Sequence, residues 1–296
     1  MDIGILTTRN QHYHPNRRFI EAGLKMGHRP LLIDPWKCLM SVGPNGEGMT
    51  YRGREFPHVD VVLPRIGATI EDYEMTVVKH LELMDVPLVN GFDSIAKSRD
   101  KFASLQILAA HGIAVPRSIV VTDGRKLARV IRDLNGPPVV VKLLRGRQGT
   151  GVTLAESYQA VEFVINNLSG FGDAALLQEF VEESRGRDIR VLVVGTEAKA
   201  SMLRQSLGSD FRSNIHLKGV GRRIELSDEH KEIAVRATRA LGLDVAGVDM
   251  LESRAGPVVL EVNYSPGFRE LEKVARMDIA RSILTYAINL VRRKRS

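Results

Sequence analysis

Apolar and polar positions along this chain fall into two rhythms, and their order predicts the fold. Residues 2–6 (D-I-G-I-L) form a short apolar run of strand length. Residues 15–26 place Phe19, Ile20, Ala22, Leu24 and Met26 in a helical stretch, and 29–34 and 59–64 read as two further strands. That β-α-β alternation predicts a small parallel sheet. The Gly-rich, polar stretch 41–57 predicts a loop or hairpin excursion. A helix follows over 71–84, a short strand over 87–90 and a single helix over 94–110.

From 115 the pattern changes. Strands are predicted over 115–121, 136–144, 174–181, 188–194 and 199–205, with helices over 124–134, 225–241 and 278–292. Two β-branched runs, V-A-G-V-D-M-L-E before and P-V-V-L-E-V-N after, flank Ser253-Arg254-Ala255-Gly256 and predict a β-hairpin.

That hairpin carries the candidate chemistry. Glu261 and Asn263 are two apart, so a strand puts them on one face. A hairpin centred near Ala255 sets Asp249 opposite Glu261 on that same face. Two carboxylates and an amide oxygen among valines and leucines repel one another and lose solvation, and a hard divalent cation would answer both costs. An exposed strand face with ordinary surface acids fits the same letters, although the tight Ser265-Pro266-Gly267 turn after Asn263 favours a site.

Other positions carry paired readings. Lys142 ends an apolar strand, where an ammonium is costly unless something such as a nucleotide phosphate pairs with it. It runs into Arg145-Gly146-Arg147-Gln148-Gly149-Thr150-Gly151, whose glycines suit backbone N–H donation to phosphate oxygens or a plain hairpin turn. No Gly-Lys-Ser/Thr and no G-x-G-x-x-G after the first strand occurs. Lys97, Arg99 and Lys101 oppose a helix dipole, which suits an awaited anion or a solvated face. Glu179 and the backbone at Phe180 suit an adenine edge or an edge strand. Arg212 and Asn214, in F-R-S-N, suit a transferring phosphoryl group and a metal. Arg65, at a strand end, suits a ligand or the surface. His216 is the histidine to test as proton acceptor for an incoming amine.

Composition narrows the class without naming the chemistry. The chain has 296 residues, 44% hydrophobic and 26% charged, with a net charge of +7. That is a globular composition with room for two or three packed units, and the charge favours acidic partners such as nucleotide or acidic peptide. One cysteine, Cys38, excludes an internal disulfide. No signal peptide and no membrane-length apolar run stand out, so a cytoplasmic protein without membrane contact is expected.

The ordered set P-R-I-G, S-R-D-K, V-V-V-K, G-T-G-V, Q-E-F-V, D-I-R, D-F-R-S-N, V-A-G-V-D and L-E-V-N-x-S-P-G resembles the ATP-grasp superfamily, and the RimK-type glutamate ligases in particular, over residues 1–289. The resemblance implies an α/β (α+β) protein: an N-terminal parallel-sheet domain (1–94), a central ATP-grasp subdomain with the Gly-rich loop (95–181) and a C-terminal subdomain with the metal site (182–296).

It implies ATP and two magnesium ions, with manganese able to substitute. Lys101, Lys142, Gly149 and Gly151 would lie at the phosphates, and Gln178, Glu179, Phe180 and Val181 at adenine. Asp188 would lie at the ribose. Arg190, Arg212 and Asn214 would surround the transferring phosphate, and Asp249, Glu261 and Asn263 would hold the metal. Arg65, His216, Tyr264 and Ser265 would face substrate.

The implied reaction phosphorylates a carboxylate and lets an amine displace phosphate, giving an amide. The implied partners are L-glutamate and a protein or peptide C-terminus, as on a small-subunit ribosomal protein, with a homo-oligomeric enzyme. A same-fold ligase for a small-molecule precursor, and a non-catalytic RNA- or ribosome-binding protein, are the alternatives. The chain departs from the RimK pattern at residues 217–222 and at Tyr264, Phe268 and Arg269, all beside the substrate positions.

Overall fold

The computed structural model describes residues 1–44, 46–67, 72–144, 152–169, 174–207 and 219–295. β1 (Asp2–Leu6), α1 (His14–Lys25) and β2 (Arg29–Ile33) open the chain. The predicted excursion is a separate antiparallel sheet of β3 (Cys38–Gly43), β4 (Gly46–Tyr51) and β5 (Arg54–Glu55). β6 (Val61–Pro64) then returns beside β1, giving the expected parallel sheet in the order β2-β1-β6. The short strand expected over 87–90 is reduced to one bridge, Leu88 to Val62.

α2 (Asp72–Leu83) is followed by α3 (Phe92–Arg99) and α4 (Lys101–Ala110). A single helix over 94–110 was the expectation, and Asp100 breaks it. Its backbone is extended, and its carboxylate accepts from Phe102 N and Ala103 N at 2.9 Å each. An aspartate that caps cannot also continue a helix, so Lys101 stands at the first position of a new one.

The middle of the chain forms its own layer: β7 (Ser118–Val121), α5 (Leu127–Asp133), β8 (Val139–Leu143), β9 (Val152–Ala155), α6 (Tyr158–Ser169) and β10 (Ala175–Glu179). The sheet order is β7-β10-β8-β9, all antiparallel. Leu127, Ile131, Val141, Val161, Ile165 and Leu177 close a core shared with no other part of the chain among the described residues.

The last third contributes β11 (Arg187–Val194), β12 (Glu197–Gln205), β13 (Val220–Arg223), α7 (Asp228–Ala240), β14 (Val245–Ser253), β15 (Gly256–Asn263), α8 (Arg269–Ala275) and α9 (Ile279–Arg295). Its antiparallel sheet runs β13-β12-β11-β14-β15. Val191 and Val248 pack on Ala234 of α7, and Leu192 and Val245 pack with Ile283 and Leu284 of α9. Both cores also take residues of the N-terminal sheet, such as Val62 and Ile5, so the first and last thirds are buried together. β9, α6 and α8 have no counterpart in the sequence expectations. Among the described residues no helix is long and apolar enough to cross a membrane.

Candidate active site

The hairpin of β14 and β15 turns at Ser253-Arg254-Ala255-Gly256, with Gly256 at φ +107° and Ser253 Oγ donating to Gly256 O at 2.6 Å. Near the turn, Met250 pairs with Val259. Continued regularly, that register would set Leu260 against Asp249. A bulge between Asp249 and Met250 absorbs one residue, and Asp249 pairs with Glu261, Gly247 with Asn263. The cause lies in the core. Val259 and Val262 are both buried (0% and 1% exposed), yet three positions apart they would point to opposite faces of a regular strand. The bulge takes both valines inward and leaves Glu261 and Asn263 beside Asp249. At the same place Val259 N leaves the ladder and donates to Ala114 O at 2.8 Å.

Gly247 has its own constraint. A Cβ there would stand 2.7 Å from Pro266 Cβ, so only glycine lets the Ser265-Pro266-Gly267 turn lie over the hairpin.

The neighbouring strands bring the counter-charges. β11 pairs Arg190 with Asp249, and β12 pairs Arg204 with Asp188. Arg190 Nε and Nη2 donate to the two Asp249 carboxylate oxygens at 2.7 and 2.6 Å. Arg204 Nε donates to Asp188 Oδ1 at 2.9 Å, its Nη2 also bonds Asp188, and the same Nη2 lies 2.9 Å from Asp249 Oδ2. Asp188, Arg204 and Asp249 are 3%, 5% and 3% exposed. Burial pulls the Asp249 carboxyl upward, but Arg190 and Arg204 outweigh it and hold it below its ordinary range. Burial opposes the charge of Arg204 too, and the two aspartates more than offset it. Arg204 carried no sequence expectation.

The Asn263 amide can be set either way. In one setting Nδ2 donates to Gly247 O at 3.3 Å, and Oδ1 faces Glu261 Oε1 with no hydrogen between them. In the other, its nitrogen donates to Glu261 Oε1 at 3.0 Å and its oxygen accepts from Arg190 Nη2 at 3.1 Å. The first setting leaves an oxygen pair that would suit a divalent cation but sets Nδ2 against Arg190 Nη2, donor to donor; the second satisfies these groups without an ion. Among the described residues no three His, Cys, Asp or Glu side chains form a metal-sized group, so such a site depends on the Asn263 amide. Glu261 is exposed and Asn263 half-buried, which suits an ion that keeps water and phosphate oxygens. Asp249 stands on the same face, with both its oxygens engaged by arginines, and would have to give up one of those bonds to join them. The donor set therefore fits magnesium.

Lys142, on β8, donates from Nζ to Gln178 Oε1 at 2.7 Å, and Gln178 Nε2 donates to Ser118 Oγ at 2.8 Å. Gln178, expected at adenine, is 1% exposed, and its amide is engaged in positioning this lysine. Burial pulls Lys142 down to about 8; the Glu261 carboxylate pulls the other way, and the Lys101 cation pushes it down further. Both lysines and Glu261 thus share one electrostatic neighbourhood.

β10 ends at Glu179, whose Oε1 accepts from Arg117 N at 2.7 Å. Phe180 lies under the Arg185 guanidinium at 4.7 Å, and the Val181 carbonyl accepts from Ser184 N at 3.1 Å. Asp188, expected at the ribose, spends its carboxylate on Arg204.

Arg65 follows β6 directly. Its Nη2 donates to Pro266 O at 2.6 Å, and its guanidinium lies over the edge-to-face pair Phe19 and Phe268, 5.5 and 5.9 Å from their ring centres. Burial draws it down to about 10, opposed by tyrosines alone. Tyr264 is 8% exposed and donates to Gly67 O at 2.9 Å, while Ser265 is half-buried in the same turn. Gly149, Gly151, Arg212, Asn214 and His216 lie outside the described residues.

Replacing Lys142 by Met is expected to weaken ATP binding about 10- to 100-fold, the value of a hydrogen bond to a charged group. Affinity of the unaltered protein should also fall as pH rises through about 8, because Lys142 then sheds the proton that a phosphate needs. Stability should move the other way. Between about 8 and the ordinary 10.5, the folded state binds fewer protons at this group than the unfolded one, so its contribution rises with pH. Calorimetric titration of nucleotide across pH checks the first point; a flat profile counts against a phosphate at Lys142.

Comparison with known proteins returns one pattern. Residues 98–287 match the RimK-like ATP-grasp domain and residues 1–95 the RimK PreATP-grasp domain. A Syntrophotalea carbinolica protein named "Probable alpha-L-glutamate ligase" is 42% identical over 286 residues, covering 97% of this chain and 95% of its own. One of the same name from Xanthomonas axonopodis pv. citri is 42% identical over 293 residues, covering 99% of both. Among solved structures, the ATP-grasp ligase PsnB complexed with a minimal precursor superposes with a TM-score of 0.78 at 22% identity, covering 97% of this chain and 98% of that one. A RimK domain ATP-grasp protein from Sphaerobacter thermophilus gives 0.75 at 24%, covering 97% and 100%.

Proposed function

This chain belongs to the RimK-like ATP-grasp family, and from that premise we propose that it joins a carboxylate to the amine of L-glutamate with cleavage of ATP to ADP and phosphate. The acceptor in this reading is a protein or peptide C-terminus, such as that of a small-subunit ribosomal protein. The observation that carries it is the convergence of Asp249, Glu261 and Asn263 on one strand face, with the Lys142 ammonium close enough to feel Glu261.

Phosphoryl transfer asks the protein mainly for position and for cations around the γ-phosphate. Lys142, fixed by Gln178, donates to phosphate oxygens, and Lys101 adds charge beside it. Arg190 lies against Asp249, where it can hold the acceptor carboxylate or the phosphoryl oxygens as they approach. Magnesium, held by Glu261, Asn263 and Asp249, would draw off negative charge from the β- and γ-phosphates; two ions, with manganese as substitute, belong to the same proposal. The acceptor carboxylate oxygen attacks the γ-phosphorus and ADP leaves. The glutamate amine then attacks the acyl carbon, phosphate leaves and an amide forms. Gly149, Gly151, Arg212 and Asn214 are assigned to the phosphates and His216 to the amine proton. Glu179, Phe180 and Val181 are assigned to adenine.

The test is incubation with ATP, magnesium, L-glutamate and peptides bearing a free C-terminus, with ADP and product mass followed together. ADP release that requires both substrates, with peptide gaining glutamyl units, is expected. ADP release indifferent to both, with no amide formed, overturns the ligase reading.

A further inference from the structure

Three buried side-chain atoms among the described residues lack a hydrogen-bond partner: His14 Nδ1, Asn16 Oδ1 and Arg65 Nε. They belong to one region. His14 and Asn16 open α1, which follows β1, and Arg65 follows β6. β1 and β6 are neighbours in the parallel sheet, and α1 leads away from β1 to β2 on the other side. The carboxyl ends of strands at such a reversal form the crevice in which open α/β sheets bind ligands. Phe268 joins the residues physically, with its ring 5.7 Å from His14 and 5.9 Å from the Arg65 guanidinium.

The crevice meets the hairpin. Arg65 bonds Pro266 O and Tyr264 bonds Gly67 O, so the turn just beyond Asn263 forms its other wall. A depression of about 480 Å³ opens beside it, lined by His14, Arg18, Arg269, Lys273 and Arg276 and by the carboxylates Glu270, Glu272 and Asp278. Glu272 takes up His14 and, with Asp278, Arg18. Neither Arg269 nor Arg276 is paired with a carboxylate among the described residues. Among the described residues no carboxylate answers Arg65 either, although a guanidinium largely taken out of water ordinarily demands one.

Resting on the ligase reading above, we infer that this crevice binds a carboxylate that the amine substrate, L-glutamate, retains through the reaction, with Arg65 as its anchor and His14 and Asn16 as its polar lining. The reaction involves two kinds of carboxylate. The one that is phosphorylated must face the γ-phosphate and loses its charge there. The α- and γ-carboxylates of the incoming glutamate both keep their charge throughout, and an arginine packed over two aromatic rings suits such a constant anion. Asn16 Oδ1, an acceptor without a donor, is the other unmatched polar atom beside this anchor. Arg65 is a binding residue here and takes no part in bond making.

The test uses the full chain with L-glutamate as probe. Arg65→Met keeps the packing on Phe19 and Phe268 and removes the donors; Arg65→Lys keeps the charge. Initial rates of ADP release are measured against glutamate, against acceptor peptide and against ATP, alongside calorimetric binding of glutamate in the presence of a non-hydrolysable ATP analogue. Arg65→Met is expected to raise the KM for glutamate about 10- to 100-fold, with the KM values for ATP and acceptor little changed and partial rescue in Arg65→Lys. An unchanged glutamate KM, or an equal rise for ATP, overturns the inference. A rise confined to the acceptor overturns it too, because it would assign Arg65 to the other substrate. Should Arg65→Met fail to fold, His14→Phe, which keeps the ring against Phe268, gives the same reading through glutamate binding. Wild-type protein that neither binds glutamate nor links ADP release to it brings down the function proposed above; wild-type activity with an unaltered Arg65→Met profile removes only this subsite.

Discussion

Glu261→Gln is expected to lower ADP formation by roughly 10²–10³-fold, the scale on which loss of one charge-stabilising group slows an enzyme. Stability should stay within about 0.5 kcal/mol, because the position is exposed and the replacement keeps its shape. The two effects separate because of where the bulge puts this residue. Val259 and Val262 face the core on either side of it, while Glu261 is exposed beside the Asn263 amide. The variant therefore loses a charge where magnesium and phosphate would gather, and little packing. Rates of ADP release over a magnesium titration, beside a urea denaturation curve, check both halves. Wild-type turnover in Glu261→Gln would remove the cation from this hairpin.

Arg204→Met should do the opposite: it should cost about 3–5 kcal/mol of stability, the usual result of breaking a buried ion pair from one side. Asp188, at 3% exposure, would lose its bond to the Arg204 guanidinium, and Asp249 would keep that of Arg190. The double variant Asp188→Leu/Arg204→Met should recover most of that loss, because removing both partners leaves no stranded charge at that pair. Urea unfolding of the singles and the double closes the cycle. A single variant as stable as wild type would show that Arg204 is not the counter-charge that keeps these aspartates folded.

The hairpin was legible because its two facts are local: β-branched runs around a turn, and oxygen-bearing residues two apart. The pairing of Asp249 with Glu261 was read from an assumed centre at Ala255, and the chain reaches it by another route, a turn half a residue away corrected by a bulge. That correction depends on which valines the core accepts, and no spacing rule states it. Arg204 was illegible for a related reason. Its partners sit on β11 and β14, and a lone arginine in M-L-R-Q says nothing about either. The break at Asp100 was present in the letters but hidden by Arg99 and Lys101 on either side, good helix formers that read as a continuation. Gln178 stands within Q-E-F-V, and only the fold across β8 and β10 brings it to Lys142.

The amide that Val259 frees from the ladder has a mechanical consequence. It is stapled to Ala114, on the connector between α4 and β7, just ahead of the self-contained layer that carries Lys142. The polypeptide that enters that layer therefore departs from a point fastened to the very strand that bears Glu261, so the lysine's layer and the carboxylate's strand are tied by a backbone bond as well as by the chain.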